Sequence, residues 1–265
     1  MSLKRLLART AVLAAASVAL VTGAAAQSGE PIKIGFSMAM TGGLGGNGKS
    51  ALLAQKIWEE DVNAKGGLLG RPVKLIYYDD QSNPSTVPGI YTKLLDVDKV
   101  DIVMGGAMVG PQNTSMKAQL GPLLNGFVNY EFWLPVPKMQ FAGVDELIKK
   151  YQSRAASEGV DPLGYYMAPQ AYAQFQVLAQ AITATKTLND DKLADYIRTN
   201  TFKTVLGDVK FGKGGEWAEG RVLQVQFQNI KGNDVGQFKD ISTQVVVSPP
   251  ELASGNLVYP YEKAK

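Results

Sequence analysis

Apolar and polar positions along this chain follow two periods, and their order predicts an α/β protein. Short apolar runs such as 73–78 are typical of buried strands, whereas apolar residues at steps of three and four indicate helices. The clearest helical pattern is 143–157, which places Val144, Leu147 and Tyr151 on one face. The predicted strands are 31–37, 73–78, 100–104, 126–133 and 223–228, and the predicted helices are 49–64, 85–97, 111–121, 143–157, 168–186 and 190–199.

The order of these elements predicts how the strands pair. A helix separates each of the first three strands from the next, which favours a parallel sheet with right-handed crossovers. Residues 223–228, in the C-terminal part of the chain, follow a different pattern. Leu223, Val225 and Phe227 alternate with glutamines, which predicts a strand with one solvated face.

The N-terminus has the three parts of a secretory signal peptide. Lys4, Arg5 and Arg9 are basic, 11–21 is apolar, and Ala24-Ala25-Ala26 ends in the small-residue pattern that precedes cleavage. We expect cleavage after Ala26 and release into the periplasm. No other stretch is long enough to cross a bilayer, and the chain has no cysteine to carry a lipid, so no stable membrane anchor is expected.

The amino-acid composition excludes several classes of partner and of chemistry. The formal net charge of the full chain is +3, but the signal peptide carries three cations and no acids, so the mature chain is formally neutral. Nucleic acid and anionic membranes are therefore poor candidate partners. The chain also has no His and no Cys, which removes imidazole bases, Ser-His-Asp triads and the commonest transition-metal ligands. We expect no catalysis, no cofactor and no metal, and we interpret Asp79-Asp80 and Asp190-Asp191 as structural.

Residues 43–50 match the phosphate-binding pattern G-x-x-x-x-G-K-[ST]. An exported nucleotide hydrolase is therefore an alternative hypothesis. Against it, the preceding strand ends several residues before Gly43, and export separates the chain from nucleotide pools. A Gly-rich loop at a helix N-terminus can equally hold a carboxylate, with hydroxyls from Ser37 and Thr41 as further donors.

Three segments, 34–43, 63–73 and 78–80, resemble the opening of the type I periplasmic binding proteins of the leucine/isoleucine/valine type. These are the solute receptors of ABC importers. The resemblance covers about 31–106, and 107–265 is similar to a later portion of the same family. It implies an α/β fold of two lobes, each with a doubly wound parallel sheet, and a ligand cleft between the lobes.

The chain also departs from the family, whose members are substantially longer. Compared with the family, it lacks the rest of the first lobe and the start of the second. This indicates an internal deletion near 104–107, which would leave both lobes incomplete. The resemblance divides the chain into a signal peptide (1–26), a first-lobe segment (27–104), a second-lobe segment (105–158), a return to the first lobe (159–204) and a β-rich second-lobe or hinge segment (205–265). A non-functional deletion product is therefore a further alternative.

The resemblance implies a monomeric, non-catalytic receptor for an amino acid or a related small carboxylate or amide. The lobes would close on the ligand by hinge motion and dock on the membrane permease of the importer. In the first lobe a ligand carboxylate would meet the loop from Ser37 to Thr41, with Leu44 nearby. The other expected contacts are Ala107 and Met108 beyond a strand end, and an aromatic wall that includes Phe132, Tyr165 and Tyr166. Core packing is the competing interpretation of these aromatic side chains.

Overall fold

The computed structural model describes residues 28–83, 86–104, 114–126, 128–259 and 263. The predicted signal peptide, Ala107 and Met108 lie outside the described residues. So does most of the junction at 104–107, where the deletion was inferred. Over the described part of the chain, no helix is both long and apolar enough to span a membrane.

The first sheet is parallel, as the strand–helix alternation predicts. It consists of β1 (Ile32–Met38), β2 (Val73–Asp79) and β3 (Ile102–Met104) in the order β2-β1-β3. Ile34 of β1 pairs with Leu75 on one side and Ile102 on the other. The three carboxyl ends therefore meet at one edge, which is where open α/β sheets carry their ligands.

Helices cover both faces of this sheet. Helices α1 (Gly45–Ala64) and α5 (Ala168–Thr185) share one face, where the rings of Trp58 and Phe175 lie 4.5 Å apart. Helix α2 (Val87–Asp96) covers the other face. A Cβ on Gly35 would lie 3.0 Å from Val100 and 3.1 Å from Leu94, so glycine lets α2 and the residues after it approach β1 closely.

Helix α4 (Val144–Glu158) packs against α1. Arg154 on α4 contacts Glu60 of α1 at 2.7 Å, and Lys150 pairs with Asp61. The Tyr172 hydroxyl of α5 also donates to Asp61, at 2.8 Å. The three helices are therefore joined by polar contacts at their rim as well as by the apolar core beneath.

The second sheet differs from the expectation of two parallel sheets. It contains β4 (Val128–Glu131), β7 (Leu223–Phe227) and β8 (Gln244–Ser248) in the order β4-β7-β8, and both pairings are antiparallel. The expectation of a parallel second sheet is therefore wrong for the described strands. The physical reason is that β7 and β8 follow one another in sequence without a helical crossover of the kind that parallel strands need.

A hairpin that the sequence did not suggest joins the helical layer to the tail. Helix α6 (Asp190–Thr199) leads into β5 (Thr201–Thr204), which pairs antiparallel with β6 (Gly207–Lys210). The boundary placed at 204/205 from the sequence falls inside this hairpin. Among the described residues there are also helix α3 (Thr114–Leu120) and the short 3₁₀ segments Gly121–Leu124, Pro137–Met139, Val235–Lys239, Ile241–Thr243 and Pro250–Leu252.

Candidate functional site

The loop that leaves β1 binds a carboxylate, and that carboxylate belongs to the protein. Met38 and Asp79 are register partners at the ends of β1 and β2. Asp79 Oδ1 accepts the backbone N–H groups of Met40 (2.9 Å), Thr41 (3.2 Å) and Gln81 (2.8 Å), and Oδ2 accepts the Thr41 hydroxyl at 2.6 Å. We call Met40, Thr41, Asp79, Gln81 and Ser82 the Asp79 collar.

Ser82 closes the Asp79 collar. Its Oγ donates to the Thr41 carbonyl at 2.7 Å and accepts the N–H of Leu44 at 2.9 Å. Partial burial acts to raise the pKa of Asp79, but the hydrogen bonds from Thr41, Gln81 and Met40 together hold that pKa below its usual value. Asp79 is therefore an anion at neutral pH and takes up the donors that a ligand carboxylate would need.

The structure thus defines the surroundings of the four first-lobe residues predicted to bind ligand. Ser37 and Met38 are buried within β1. The Thr41 hydroxyl and the Leu44 N–H are used by the Asp79 collar. Their contact with a ligand stays a prediction, and the neighbouring Asp79 changes which ligand group they would meet.

The phosphate-loop geometry is not present at 43–50. Helix α1 begins at Gly45, and the N–H of Gly48 already bonds to the Leu44 carbonyl at 3.0 Å. Ser50 Oγ donates to the Gly46 carbonyl at 3.0 Å, and Lys49 is exposed. These groups belong to the first turns of a helix, so they do not form an open cradle for phosphate.

Gly48 has a packing role instead. A Cβ at this position would lie 1.8 Å from the Ala39 carbonyl oxygen, a distance that no side chain can occupy. The glycine therefore lets α1 lie directly against the segment between β1 and the Asp79 collar. The second glycine of the apparent phosphate motif is therefore explained by this close backbone contact.

The aromatic residues predicted as a ligand wall pack mainly on one another. The Phe132 ring stacks on Tyr166 at 6.0 Å between centroids, and Tyr130 meets the edge of Phe132 at 5.7 Å. Tyr165 lies edge-on to Trp133 at 5.7 Å. Tyr165 and Tyr166 are buried, whereas Phe132 is half-buried. Phe132 therefore has the accessible ring surface of the three, and binding by all three stays a prediction.

A buried ion pair lies beside this aromatic cluster. Lys117 on α3 and Glu131 at the end of β4 are 2% and 1% exposed, and Lys117 Nζ is 3.8 Å from Glu131 Oε1. That separation is too long for a hydrogen bond, and neither Glu131 oxygen has a hydrogen-bond partner among the described residues. Lys117 instead donates to Gln244 Oε1 at 2.7 Å.

The pKa of Glu131 is shifted chiefly by its burial. Burial raises the pKa to about 7, with the Lys117 cation acting in the opposite direction and the Asp161 carboxylate adding to the increase. Nothing in the sequence marked Glu131 or Lys117 as buried. In this strand, apolar Val128, Tyr130 and Phe132 alternate with polar Asn129 and Glu131. That pattern predicts buried apolar side chains and an exposed Glu131, which is the opposite of what the structure shows.

A cavity with a volume of about 480 Å³ lies elsewhere, at the β3 edge of the first sheet. One face of α5 forms its floor, with Gln170, Ala173, Gln174, Val177 and Leu178 at helical spacing. Ile102 and Met104 of β3 line one side. Ile197 of α6 and the hairpin region with Leu206, Val209, Phe211 and Trp217 line the other.

Sequence reasoning missed this cavity entirely. None of its lining residues is among the nine predicted ligand contacts. The feature of the sequence that could have indicated it is a pair of glutamines, Gln170 and Gln174, four residues apart on the otherwise apolar face of α5. Among the described residues, no group of three or more acidic side chains is placed to hold a metal.

Solved structures with the same architecture define the fold. The LivJ branched-chain amino acid substrate-binding protein of Streptococcus pneumoniae, in complex with isoleucine, aligns with a TM-score of 0.56 at 13% identity over 77% of this chain and 97% of that chain. A solute-binding protein from R. palustris in complex with benzoate gives 0.57 at 11% identity over 82% and 96%. An amino acid substrate-binding protein of Pseudomonas fluorescens gives 0.63 at 11% identity over 89% and 99%.

The fold is therefore that of the type I periplasmic binding proteins. Residues 31–110 match the family model described as periplasmic binding protein, which confirms the resemblance inferred from the opening segments. No curated protein matches the chain. Residues 31–110 thus carry the similarity in sequence, whereas the rest of the chain is related to this fold through structure.

Proposed function

We propose that this chain is the solute-binding component of an ABC importer, specific for an amino acid or a related small amide or carboxylate. The observation that carries the proposal is the family match of 31–110, which coincides with the parallel β2-β1-β3 sheet. Solved proteins of this fold are described with isoleucine, benzoate and 3,4-dihydroxybenzoic acid, which supports a small organic solute as ligand.

The export signal at 1–26 supports a periplasmic location, where such a receptor would deliver its solute to the membrane permease. We propose that the chain acts as a monomer without catalysis, and that 27–104 with 159–204 forms one lobe while 105–158 with 205–265 forms the other. Hinge closure on the ligand would then present a docking surface to the permease.

The Asp79 collar changes the expected polarity of the first-lobe contact. Asp79 is ionised and takes the donors of Met40, Thr41 and Gln81. A second carboxylate beside it would be repelled, whereas an ammonium or amide N–H would be attracted. We therefore propose that Thr41 faces the ammonium end of an amino acid, and that Phe132 with Tyr165 and Tyr166 contacts its apolar side chain.

Isothermal titration of the full chain tests this proposal with leucine, isoleucine, phenylalanine and benzoate. We expect saturable heat with at least one amino acid and weaker binding of the same compound without its ammonium group. Phe132→Leu should reduce the affinity about tenfold by removing ring contact. Phe141→Leu is the matched control, because Phe141 is also half-buried but packs against Arg221, 4.9 Å from its ring centroid.

The alternatives predict different results. A nucleotide hydrolase would give heat with magnesium ATP that Lys49→Ala abolishes, whereas we expect no heat with ATP. A non-functional deletion product would give no heat with any solute, and that outcome from a chain with a cooperative thermal transition would overturn the proposed function.

A further inference from the structure

Two short segments of the chain, 131–133 and 161–166, face each other and are joined by aromatic side chains. The ring pairs that join them have centroids 6.0 and 5.7 Å apart and are Phe132 with Tyr166 and Trp133 with Tyr165. We call these two segments the aromatic junction. Glu131 begins the first segment and Asp161 begins the second. Each side of the aromatic junction therefore begins with a carboxyl group.

Asp161 has the hydrogen-bond donors that an anion needs. Its Oδ1 accepts the N–H of Leu163 at 2.9 Å and the hydroxyl of Thr114 on α3, and its Oδ2 accepts the N–H of Gly164 at 3.1 Å. Gly164 has a φ of +69°, and a Cβ there would lie 2.5 Å from the Tyr151 ring of α4. Asp161 therefore fixes a turn that fits closely against α4, and it joins that turn to α3.

Glu131 lacks such donors. Both of its oxygens are buried and have no hydrogen-bond partner among the residues that the structure describes. The ionisable groups that act on it are Lys117 from α3 and Asp161 from the opposite segment, and the Glu131 charge in turn acts on Tyr166. Strand β7 places Leu223 opposite Glu131 and contains no ionisable residue. The neutral form of Glu131 therefore suits this position better than the anion does.

Lys117 has two acceptors within reach, one for each protonation state of Glu131. Its Nζ donates to Gln244 Oε1 at 2.7 Å and lies 3.8 Å from Glu131 Oε1. The Gln244 amide is itself held, because its Nε2 donates to the Phe238 carbonyl at 3.1 Å. A displacement of about 1 Å would bring Lys117 Nζ within hydrogen-bond distance of Glu131. An ionised Glu131 would therefore compete with Gln244 for the cation.

We propose that the aromatic junction is a pH-dependent switch, which is closed while Glu131 carries a proton and opens when that proton is lost to solvent. In the closed state Lys117 donates to Gln244, and a neutral Glu131 does not repel Asp161. In the open state Lys117 donates to the Glu131 carboxylate, and the charge of Asp161 separates the two segments. Burial raises the pKa of Glu131 to about 7, with Lys117 acting against this and Asp161 adding to it, so the switch operates near neutral pH.

The switch would regulate the proposed solute site. Phe132, Tyr165 and Tyr166 are the rings proposed to contact the solute, and all three belong to the aromatic junction. The solute should therefore bind about tenfold more tightly at pH 6 than at pH 8. This consequence rests on the proposed function. The switch itself does not, because opening of the aromatic junction is measurable without a solute.

Hydrogen exchange of the full chain without solute tests the switch. The N–H groups of Leu163 and Gly164 report on opening, because both donate to Asp161. Glu131 has a pKa of about 7 in the closed state and should return to its ordinary 4.5 in the open state, so the opening equilibrium should rise about tenfold from pH 6 to pH 8. Exchange rates divided by their intrinsic rates should rise by the same factor and should exceed those of β1.

Variants identify the group that titrates. Glu131→Gln keeps the shape of the side chain and cannot ionise, so the corrected exchange rates should be equal at pH 6 and pH 8. Glu59→Gln is the matched control, because burial also raises the pKa of Glu59, but this side chain accepts the N–H of Leu75 at 2.9 Å in the first sheet. The control variant should keep the wild-type pH dependence of exchange at 161–166.

Trp133 gives a second readout that leaves Glu131 intact. Its side chain is buried, and its ring meets Tyr165 across the aromatic junction. In a chain with Trp58→Phe and Trp217→Phe it is the remaining tryptophan, and acrylamide should quench its fluorescence more strongly at pH 8 than at pH 6. Asp161→Asn in the same chain should reduce this difference, because it removes the negative charge that acts on Glu131.

Three outcomes decide the proposal. Equal protection of 161–166 and of β1 at both pH values would show that the aromatic junction opens only when the whole chain unfolds, and this would overturn the switch. A pH dependence that survives in Glu131→Gln would assign the titration to another group and would also overturn it. Exchange that behaves as expected supports the switch even if no solute binds at either pH, and that absence of binding would count against the proposed function alone.

Discussion

Two carboxylates end strands in this protein, Asp79 on β2 and Glu131 on β4, and they have opposite surroundings. Asp79 accepts hydrogen bonds from Met40, Thr41 and Gln81, and its pKa is lowered. Glu131 is fully buried with no hydrogen-bond partner among the described residues, and its pKa rises to about 7. The comparison shows that position at a strand end does not determine the charge of a carboxyl group, whereas its burial and the hydrogen-bond donors around it do.

The largest expected effect comes from removing the cation beside Glu131. Lys117→Met should reduce the free energy of unfolding by about 3–5 kcal/mol at pH 8, because a buried carboxylate would lose the cation beside it. Urea unfolding measures the loss. Lys117→Met combined with Glu131→Leu should recover most of the stability, and an equal loss in the single and double variants would show that the two charges do not interact.

The next effect concerns the support of the Asp79 collar. Gly48→Ala should destabilise the protein by about 3 kcal/mol, since its Cβ would collide with the Ala39 carbonyl and displace α1 from the collar. Thermal and urea unfolding measure this change. Gly89→Ala on α2 meets open space and should instead stabilise by up to about 1 kcal/mol, as expected for alanine in a helix. Equal effects of the two variants would contradict the packing role of Gly48.

Removing the Asp79 carboxylate should have a smaller effect. Asp79→Ala should cost about 2 kcal/mol at pH 7, because three backbone N–H groups lose their acceptor. A lowered pKa contributes stability above the unfolded pKa that is lost as pH falls through the folded pKa, so the difference from wild type should shrink as pH falls below the ordinary carboxyl pKa of 3.8. Asp80→Ala is the control, since Asp80 accepts one backbone N–H, that of Ser82 at 2.9 Å. A difference that persists at low pH would exclude ionisation as its source.

The last effect is the dependence of the free energy of unfolding on pH. The folded pKa of Glu131, about 7, lies above its ordinary value of 4.5, so the stability it contributes is present below 4.5 and is lost as pH rises through 7. Wild-type stability should therefore fall by about 2–3 kcal/mol between pH 5 and pH 8, and Glu131→Gln should remove this pH dependence. Urea unfolding at several pH values tests it, and the same slope in both proteins would assign the titration to another group.

The sequence predicted the first sheet well because its signals are local. Buried strands with helices between them indicate parallel pairing, and the observed β1, β2, α1 and α5 agree with the predicted elements to within a few residues. The antiparallel second sheet was not predictable in this way. Its strand β4 pairs with β7 from almost a hundred residues later, and no local pattern specifies that partner.

The hairpin and the buried charges escaped prediction for related reasons. The turn between β5 and β6 contains Val205 and Leu206, which are buried, so it lacks the polar residues that usually mark a turn. The Thr204 hydroxyl accepts the N–H of Leu206 at 3.0 Å and donates to the Gly207 carbonyl at 2.9 Å. Glu131 and Gln170 likewise look solvated in sequence, because their burial depends on elements that are distant along the chain.

The Asp79 collar has a consequence for how such a chain can acquire specificity. The carboxylate that fills the collar is supplied by a single side chain, and its donors are mostly backbone groups that do not change with sequence. Replacing Asp79 by alanine would leave those donors facing solvent, ready for chemical rescue by formate or acetate. A single substitution at Asp79 would therefore convert this internal contact into a binding site for external anions. The sheet that positions the donors would not need to change.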